Sequence, residues 1–389
     1  MHFLKRSLPP NQQFLTFGLR ALRLIGLWGP DRRQIFRYYL LVLAELVLLV
    51  GPKIIFGSGQ DGFESFVRNS AELIFLIEVM ISIGIFASRR RSFERLVEVL
   101  DQTLQRKWPD SLREEIGQFN RKVELFARVY AAYLFGMLVF FCVFPVISTF
   151  YKVVFVAEEE RSDFLLIIYV KFFGLDIERN VHHYMIYILS MICPISASAY
   201  QSSIKMIVIV VVIQYGAKLF DLVAKRVTVL ELIKSDQERH DELREIIKLH
   251  NLALEYVEHL EETVCFIMIN QILSCMLISC LMMFYITTNF GPNVATVVQL
   301  FMVLVGEMIV YCFNGTMLIE KATSVVDALF YYPWYKEPIW VQKVFLRMIQ
   351  RGQRPTGITA AKFYYVDVNR LGVVFQASYS YYLILKNSF

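Results

Sequence analysis

The chain has 389 residues, of which 56% are hydrophobic and 19% charged, so it is more apolar and less charged than typical soluble domains. Its formal net charge is only +5 and its basic residues do not form a stripe with aromatic residues, which excludes nucleic acid as an expected partner. Apolar stretches recur throughout without a linker rich in Pro, Gly or Ser, so we expect a single membrane domain over residues 1–389.

The first expected element is an amphipathic helix near the N-terminus. In "FLTFGLRALRLIGLW", residues 14–28, apolar residues recur at helical spacing, with Arg20 and Arg23 inside the pattern. The two arginines and the lack of a small-residue cleavage site argue against a signal peptide. We expect this helix to lie at the membrane surface, with both arginines directed toward lipid phosphates.

Seven apolar stretches are long enough to cross a bilayer as helices, which takes about 20 residues. They are residues 36–56, 70–87, 127–149, 183–214, 264–288, 294–318 and 363–385. Spanning strands are excluded, because an open sheet edge cannot face lipid whereas a helix satisfies its own backbone. The predicted fold is therefore all-α, a polytopic membrane protein with seven transmembrane helices.

The connections between these spans differ strongly in basic residues. The N-terminal segment and the second, fourth and sixth connections together hold 29 Lys and Arg, whereas the other connections and the C-terminal tail hold 6. Connections rich in Lys and Arg stay in the cytosol. The N-terminus is therefore predicted to be cytosolic and, with seven spans, the C-terminus extracellular.

Two of the cytosolic connections carry helical patterns of their own. In residues 215–263 the apolar residues from Leu243 onward form one helical stripe, with acids and bases opposite. Residues 319–357 continue the sixth span, break at Pro333 and Pro338, and then resume helical spacing. We expect both segments to be cytosolic helical extensions, the second of which supplies a helix just before the seventh span.

No pattern typical of an enzyme occurs. The sequence shows no nucleophile with a base, no acid pair in a soluble cleft and no phosphate loop. "GSGQDG" at 57–62 matches a dinucleotide-binding pattern, but it links two predicted spans instead of a strand and a helix. The six cysteines lie inside apolar segments without a CxxC pair, and no metal-ligand spacing is present. We therefore expect no enzyme activity, no cofactor and no metal.

Three ionisable residues fall inside predicted spans, where such groups are functional candidates by default. They are Glu78, Lys205 and Glu307. They can serve as ion pairs between helices or can line water, and the sequence alone does not pair them.

The last part of the chain carries a recognisable pattern. "PWYKEPIWVQKVFLRMIQRGQRP", residues 333–355, followed by "ITAAKFYYVDV" and "ASYSYY", closely resembles the C-terminal signature of insect odorant receptors. Seven spans and a cytosolic N-terminus agree with that family and come from hydropathy and charge independently. The sister family of gustatory receptors ends in Thr-Tyr followed by Gln-Phe, whereas Ser380-Tyr381 is followed here by Lys386 and Asn387. That departure favours the odorant branch.

The resemblance implies a function. An odorant receptor subunit binds a small volatile, apolar or amphiphilic molecule in a transmembrane pocket and opens a non-selective cation channel. The co-receptor of this family has a much longer connection between its fourth and fifth spans than residues 215–263 provide, so we expect a ligand-specific tuning subunit. Its implied partner is the odorant co-receptor, in a hetero-oligomer expected to be a tetramer. Its implied location is the plasma membrane of a sensory neuron, with 215–263 and 319–357 forming an inter-subunit anchor.

Three other functions are alternatives. A gustatory-receptor-like ligand-gated channel shares the topology. A seven-helix G-protein-coupled receptor has its N-terminus outside, which the charge count opposes. A secondary transporter predicts internal repeats and paired broken helices, and no second copy of either half occurs in the sequence.

The resemblance also implies two sets of site residues. The ligand site is expected between the outer halves of spans two, three, four and six, lined by Asn69, Leu73, Leu76, Gly136, Phe140, Phe144, Tyr184, Tyr187, Ile188, Met191, Gln299 and Met302. Residues 363–389 are expected to line the pore of a ring of subunits, which all present the same face to the axis. That face repeats every three or four residues, at Ala377, Ser380, Tyr381, Ile384 and Ser388. A ring of Ile384 side chains would block ions by dewetting.

Overall fold

A computed structural model describes residues 14–29, 34–56, 62–156, 163–168, 170, 172–289 and 293–388. Within these residues the chain is almost entirely helical. The α-helices are α1 (Thr16–Ile25), α2 (Gln34–Glu45), α3 (Gly51–Phe56), α4 (Gly62–Ser88), α5 (Arg90–Leu104), α6 (Asp110–Phe155), α7 (Val181–Val229), α8 (Asp236–Thr288), α9 (Asn293–Tyr331), α10 (Ile339–Gly352) and α11 (Val368–Ser388). The expected helical membrane fold is confirmed. One small hairpin, β1 (Thr359–Ala360) with β2 (Tyr364–Tyr365), was not expected.

Six segments among the described residues are long and apolar enough to cross a membrane, and they match the first six predicted spans. They are Ile35–Ile55, Ser65–Ser88, Asp110–Phe155, Val181–Leu232, Asp236–Thr288 and Val294–Tyr331. The seventh predicted span corresponds to α11, whose 21 residues suffice for a crossing. Arg370 and Gln376 make it more polar than the other six.

The seventh helix starts later than the hydropathy pattern predicts. Residues 363–367 form the end of the hairpin and its exit, and α11 begins at Val368. The carboxylate of Asp367 accepts a hydrogen bond from the backbone N–H of Arg370 at 2.8 Å, which is the geometry of an N-cap. The N–H of Val368 donates to the Thr316 hydroxyl at 3.0 Å, so the start of α11 is attached to α9.

The first span contains a π-helical turn, Leu46–Val50, between α2 and α3. Pro52 has no N–H, and its ring would clash with a carbonyl of the preceding helical turn. The wider π turn gives this carbonyl room, with the Gly51 N–H donating to Leu46 O. Residues 34–56 therefore cross as one helix despite the proline.

The amphipathic helix near the N-terminus is α1, and its apolar face packs against protein. Gly18, Ala21, Leu22 and Ile25 are buried. Gly18 lies so close to α7 that a Cβ there would be 3.2 Å from a methyl of Val208. Arg20 is exposed. The expectation that this helix lies at the membrane surface is therefore corrected in one respect, since protein and not lipid covers its apolar face.

Four helices are much longer than a membrane is thick. α6, α7, α8 and α9 contain 46, 49, 53 and 39 residues. At 1.5 Å per residue they reach about 60–80 Å, roughly twice the ~30 Å hydrocarbon core. Their inner parts therefore continue beyond the membrane, where α5 packs on α8 and α10 packs on α9. A 3-10 turn, Trp334–Lys336, separates α9 from α10, so a helix does precede the seventh span as predicted.

Buried side chains form two apolar clusters. The larger cluster runs through α7, α8 and α9 and includes the inner helices. The smaller one lies at the outer side, where the connection before α7 packs on Leu49 and Val50 of the first span, on α4 and on the first turns of α7. Helices α6 and α7 differ strongly in exposure: α7 is mostly buried, whereas α6 is mostly exposed. Helix α6 therefore forms an outer wall of the bundle.

A cluster of opposite charges joins α6, α7 and α9 at their inner ends, and Glu115 on α6 pairs in it with Lys218 and Lys225 on α7. Asp221 on α7 accepts hydrogen bonds from Lys321 at 2.8 Å and from Lys218 at 2.9 Å, and it pairs with Lys225 at 3.0 Å. Burial raises the pKa of Asp221, but hydrogen bonds from the three lysines outweigh this and hold the pKa below its usual range. Asp221 is therefore ionised at physiological pH and ties the helices together.

The hairpin crosses α9 at a glycine. A Cβ on Gly315 would lie 1.9 Å from the carbonyl oxygen of Val366, so no other residue fits there without moving the backbone. The hairpin is also bonded to α8, because Glu261 accepts from the Thr359 N–H at 2.7 Å and from the Thr359 hydroxyl. These contacts position the start of α11 against α8 and α9.

Candidate ligand-binding site

A cavity of about 130 Å³ lies between α4, α6, α7 and α9, under the connection that precedes α7. It is lined by Glu72, Phe75, Leu76, Tyr130, Leu134, Met137, Leu138, Phe141, Ile168, Ile195, Ser198, Ala199, Ser202, Ser203, Met206, Gln299, Leu300, Val303 and Glu307. These four helices are the predicted spans two, three, four and six. An apolar cavity of ~150 Å³ holds benzene, so this one suits a small molecule.

The direction of the helices defines two ends of the cavity. Ile168 and Gln299 lie at the outer end, and Tyr130, Met206 and Glu307 lie at the inner end. Along α9 the eight residues from Gln299 to Glu307 correspond to about 12 Å at 1.5 Å per residue. The wall between the two ends is mostly apolar, as is usual for small-molecule sites.

At the outer end, the cavity is lined by Ile168, in a backbone segment that two tyrosines of α7 hold in place. The Tyr187 hydroxyl donates to the carbonyl of Ile168 at 2.8 Å and accepts from the N–H of Ile168 at 3.1 Å. The Tyr184 hydroxyl donates to the carbonyl of Leu165 at 3.1 Å. Because Ile168 lines the cavity, Tyr187 fixes the roof of the site.

Next to the outer end lies a buried group of charges from α3 and α4. Lys53 donates to Glu72 at 2.7 Å and to Asn69 at 2.9 Å, and Arg68 donates to the other oxygen of Glu72 at 2.9 Å. Both carboxylate oxygens of Glu72 are therefore engaged, although Glu72 lines the cavity. We call Lys53, Arg68, Asn69 and Glu72 the outer charge cluster.

At the inner end, the three ionisable residues of the spans come together. Lys205 on α7 lies 2.9 Å from Glu78 on α4 and 3.1 Å from Glu307 on α9, and it donates to Gln271 on α8 at 2.8 Å. The Tyr311 hydroxyl donates to the same oxygen of Glu307 at 2.8 Å. This inner charge cluster joins four helices, and pairing is what makes buried charges tolerable in a membrane.

Two of the twelve predicted ligand residues, Leu76 and Gln299, line the cavity. Five others pack in the outer apolar cluster, namely Leu73, Tyr184, Tyr187, Ile188 and Met191. Asn69 belongs to the outer charge cluster. The remaining four lie on more exposed faces, namely Gly136, Phe140, Phe144 and Met302. As ligand contacts these residues remain predictions.

The sequence reasoning missed most of the residues that line the cavity. On α7 the lining extends from Ile195 to Met206, which begins about one turn beyond Met191 toward the inner side. On α6 it comes from Tyr130, Leu134 and Phe141, a different face from the predicted one. Because α6 is apolar all round, its sequence does not show which face turns inward. Of the three ionisable residues that the sequence singled out within the spans, Glu307 lines the inner end of the cavity.

The predicted pore residues lie on the open face of α11. Leu371, Val374, Ser378 and Tyr382 are the buried residues of this helix. Ser380, Tyr381, Ile384 and Ser388 are exposed and Ala377 is half-buried. The rest of the chain therefore leaves this face uncovered.

The described residues contain no group of three or more His, Cys, Asp or Glu arranged to hold a metal ion. The cysteines among them are all free. The polar groups around the cavity form hydrogen bonds and ion pairs, an arrangement suited to binding a small molecule and not to covalent chemistry.

A family model described as "7tm Odorant receptor" matches residues 62–379. Odorant receptor Or2 of Anopheles gambiae is 26% identical over 149 residues, which is 37% of this chain and 39% of that receptor. Odorant receptor 13a of Drosophila melanogaster is 21% identical over 329 residues, or 77% of this chain and 74% of that receptor. The odorant receptor coreceptor of Ooceraea biroi is 31% identical over 81 residues, or 21% and 17% of the two chains.

A solved structure shows the same fold. The olfactory receptor OR5 from Machilis hrabei, in complex with eugenol, superposes with a TM-score of 0.76 at 14% sequence identity. The superposition covers 96% of this chain and 98% of that one. The family model covers most of the chain, and this likeness extends over nearly all of it. The protein is a multi-pass membrane protein and not an enzyme, and it belongs to the 7tm odorant receptor family of insects.

Proposed function

We propose that the chain is a ligand-specific odorant receptor subunit. It binds a small volatile molecule in the cavity between α4, α6, α7 and α9 and, together with the odorant co-receptor, opens a non-selective cation channel. The observation that carries this proposal is the cavity itself, which has Ile168 at its outer end and is walled mainly by apolar side chains. The sensory neuron's plasma membrane is the proposed location.

The size of the cavity limits the ligand and its affinity. A ligand of about ten heavy atoms that gains ~0.6 to 0.8 kcal/mol per atom binds with roughly 6 to 8 kcal/mol. This corresponds to dissociation constants from tens of micromolar to about one micromolar. Binding is therefore modest and depends on shape.

Two observations support a tuning subunit in place of a co-receptor. The connection between α7 and α8 is short, since the 3-10 turn Leu230–Leu232 ends just before α8 begins at Asp236. The alignment with the co-receptor of Ooceraea biroi covers 21% of this chain, whereas the alignment with receptor 13a covers 77%. The co-receptor is therefore proposed as the partner and not as the identity of this chain.

The proposed channel is a tetramer whose pore is lined by α11. The exposed face with Ser380, Tyr381 and Ile384 is available to neighbouring subunits, while the opposite face packs on α8 and α9. The inner extensions, residues 215–263 and 319–357, are proposed as the anchor between subunits. Exposed aromatic residues such as Phe330 and Tyr331, which are 69% and 83% exposed, give that region apolar surface for assembly.

Current recordings test the proposal. Cells that express this chain with a co-receptor are exposed to a panel of volatile molecules that includes eugenol, and they are compared with cells that express the co-receptor alone. We expect inward cation current only when both chains are present, and we expect it to persist in excised patches without nucleotides. No current from any panel member at normal surface expression, or a current that requires GTP, contradicts the proposal.

A further inference from the structure

Two carboxylates line the cavity, and only one of them has an oxygen left for a ligand. Both oxygens of Glu72 accept hydrogen bonds, one from Lys53 and one from Arg68. Glu307 differs. Its Oε1 accepts from the Tyr311 hydroxyl and faces Lys205 at 3.1 Å, whereas its Oε2 accepts no hydrogen bond from any described residue.

Glu307 as a whole is only 3% exposed. The cavity that Glu307 lines is the space open to it. A carboxylate oxygen that faces a mainly apolar cavity is stabilised by a hydrogen-bond donor there, and no described side chain supplies one. The inner end of the cavity is therefore short of one hydrogen-bond donor.

The composition of the inner charge cluster also indicates that hydrogen-bond donors are few at this end of the cavity. Lys205 faces both Glu78 and Glu307, so the cluster has one cation for two carboxyl groups. Glu78 also keeps one buried oxygen, Oε2, without a hydrogen-bond partner among the described residues. The serines of the wall do not make up for this; Ser203, for example, donates to the carbonyl of Ala199 at 2.7 Å.

We propose that the ligand of this cavity carries a hydroxyl or amino group, which donates a hydrogen bond to Oε2 of Glu307. This inference rests on the proposed ligand site. The polar group of the ligand lies at the inner end of the cavity beside Tyr130 and Met206, and the apolar body of the ligand extends toward Phe141 and Ile195. Ethers, esters and hydrocarbons of the same shape bind more weakly, since they leave the carboxylate oxygen without a donor.

Binding to the purified full-length receptor tests this. The probes are matched pairs of alcohols and their methyl ethers, such as 2-phenylethanol and 2-phenylethyl methyl ether, together with 2-phenylethylamine and ethylbenzene. Binding is followed by the shift in melting temperature as each probe is titrated. We expect the alcohol or amine of at least one set to bind about tenfold or more tightly than its ether, because hydrogen bonds to charged groups are strong.

Glu307→Gln provides the sharper test. Tyr311 and Lys205 both donate toward Oε1, so the amide oxygen of the variant must take that position and its NH₂ group must face the cavity. The site then presents a donor where it presented an acceptor. We expect the preference to reverse, with the ether binding as tightly as the alcohol or more tightly. The variant should fold, since it leaves Lys205 and Glu78 as a neutral pair.

Glu45→Gln is the matched control, because Glu45 is also a buried carboxylate with one oxygen bound, by Gln201 at 2.6 Å, but it does not line the cavity. It should keep the alcohol preference. Equal binding of alcohols and ethers to the native protein, or an unchanged preference in a folded Glu307→Gln variant, overturns the inference, as does failure of every alcohol and amine to bind. Failure of the proposed channel function gives a different result: the probes bind to the purified protein with the expected preference but evoke no current in cells.

Discussion

The Tyr187 hydroxyl makes two hydrogen bonds to one residue, donating to the carbonyl of Ile168 at 2.8 Å and accepting from its N–H at 3.1 Å. Tyr187 is fully buried in α7, and Ile168 belongs to the connection that covers the cavity. A side chain predicted to touch the ligand thus holds the backbone that roofs the site. This hydroxyl and that of Tyr184 hold the covering segment on α7.

Tyr187→Phe keeps the ring and removes the hydroxyl, so both backbone groups of Ile168 lose their partner. Each buried group left without a hydrogen bond costs about 1–3 kcal/mol. We expect a lower melting temperature and, since the roof opens more often, a several-fold faster decay of odorant-evoked current after washout.

The control for this variant is Tyr200→Phe, which removes a tyrosine hydroxyl from the same helix. In the native protein this hydroxyl donates to the carbonyl of Ala21 on α1, away from the cavity. It should leave the decay of the current unchanged. If the current of Tyr187→Phe decays at the native rate, as that of Tyr200→Phe should, the hydroxyl of Tyr187 does not hold the roof during ligand binding.

Val303→Phe should reduce sensitivity to larger ligands. Val303 lines the cavity of about 130 Å³, and a phenyl ring there occupies a substantial part of the volume. We expect the concentration for half-maximal current to rise about tenfold or more for ligands near the size limit, and less for the smallest ones. Val139→Phe makes the same substitution at a 43% exposed position of α6 that does not line the cavity; it is the matched control and should have little effect. Equal responses in both variants would place the ligand elsewhere.

Ile384→Ser and Ser380→Leu test the pore assignment of α11. A polar residue at a hydrophobic constriction lets water enter, so Ile384→Ser with a co-receptor should raise the current without odorant, and Ser380→Leu should lower conductance. Both side chains are exposed, so neither change disturbs the packing within the chain. Unchanged basal current, ion selectivity and blocker sensitivity in both variants, at native surface levels, would remove this face from the pore.

Gly315→Ala should destabilise the protein. The added Cβ would lie 1.9 Å from the carbonyl oxygen of Val366, so the hairpin and the start of α11 must move away from α9. Overpacking of this kind typically costs about 1–3 kcal/mol, and a backbone contact relaxes less easily than a side chain does. Gly306→Ala on the same helix meets no atom within 4 Å and serves as the control. Melting of the purified variants measures the difference, and equal melting temperatures would contradict the tight crossing.

The orientation of the chain is tested by labelling intact cells. The split of 29 to 6 in basic residues predicts that a tag after Phe389 is labelled from outside and that a tag before Met1 is labelled only after permeabilisation. The opposite result would place the described cavity near the cytosolic side and would remove the basis for an odorant site open to the exterior.

Much of the fold was predictable because its causes are local. A span needs only length and apolarity, and each of the six most apolar predicted spans coincides with a helical segment long and apolar enough to cross a membrane. The break at Pro333 and Pro338 and the helix after it were also predictable, since two prolines five residues apart each lack a helical N–H and clash with the preceding turn. The family assignment rested on the last part of the chain, and the family model then matched residues 62–379.

The hairpin and the start of α11 were not predictable in this way. "FYYV" at 363–366 is apolar and was taken as part of the last span, whereas two of these residues pair as a strand with Thr359 and Ala360. Long-range contacts decide this, because Glu261 on α8 binds Thr359, and Gly315 on α9 leaves room for Val366.

The sequence by itself determined which helices form, how many cross the membrane and which residues bear charges inside it, because hydropathy, charge and helix-breaking residues act over short stretches of chain. Only the tertiary structure decided which faces of those helices meet. Lys205 was visible as a buried cation, but its pairing with Glu78 and Glu307 depends on the rotation and depth of three helices that lie far apart in sequence. The same holds for the cavity, because a helix that is apolar on all sides carries no local signal for the face that turns inward.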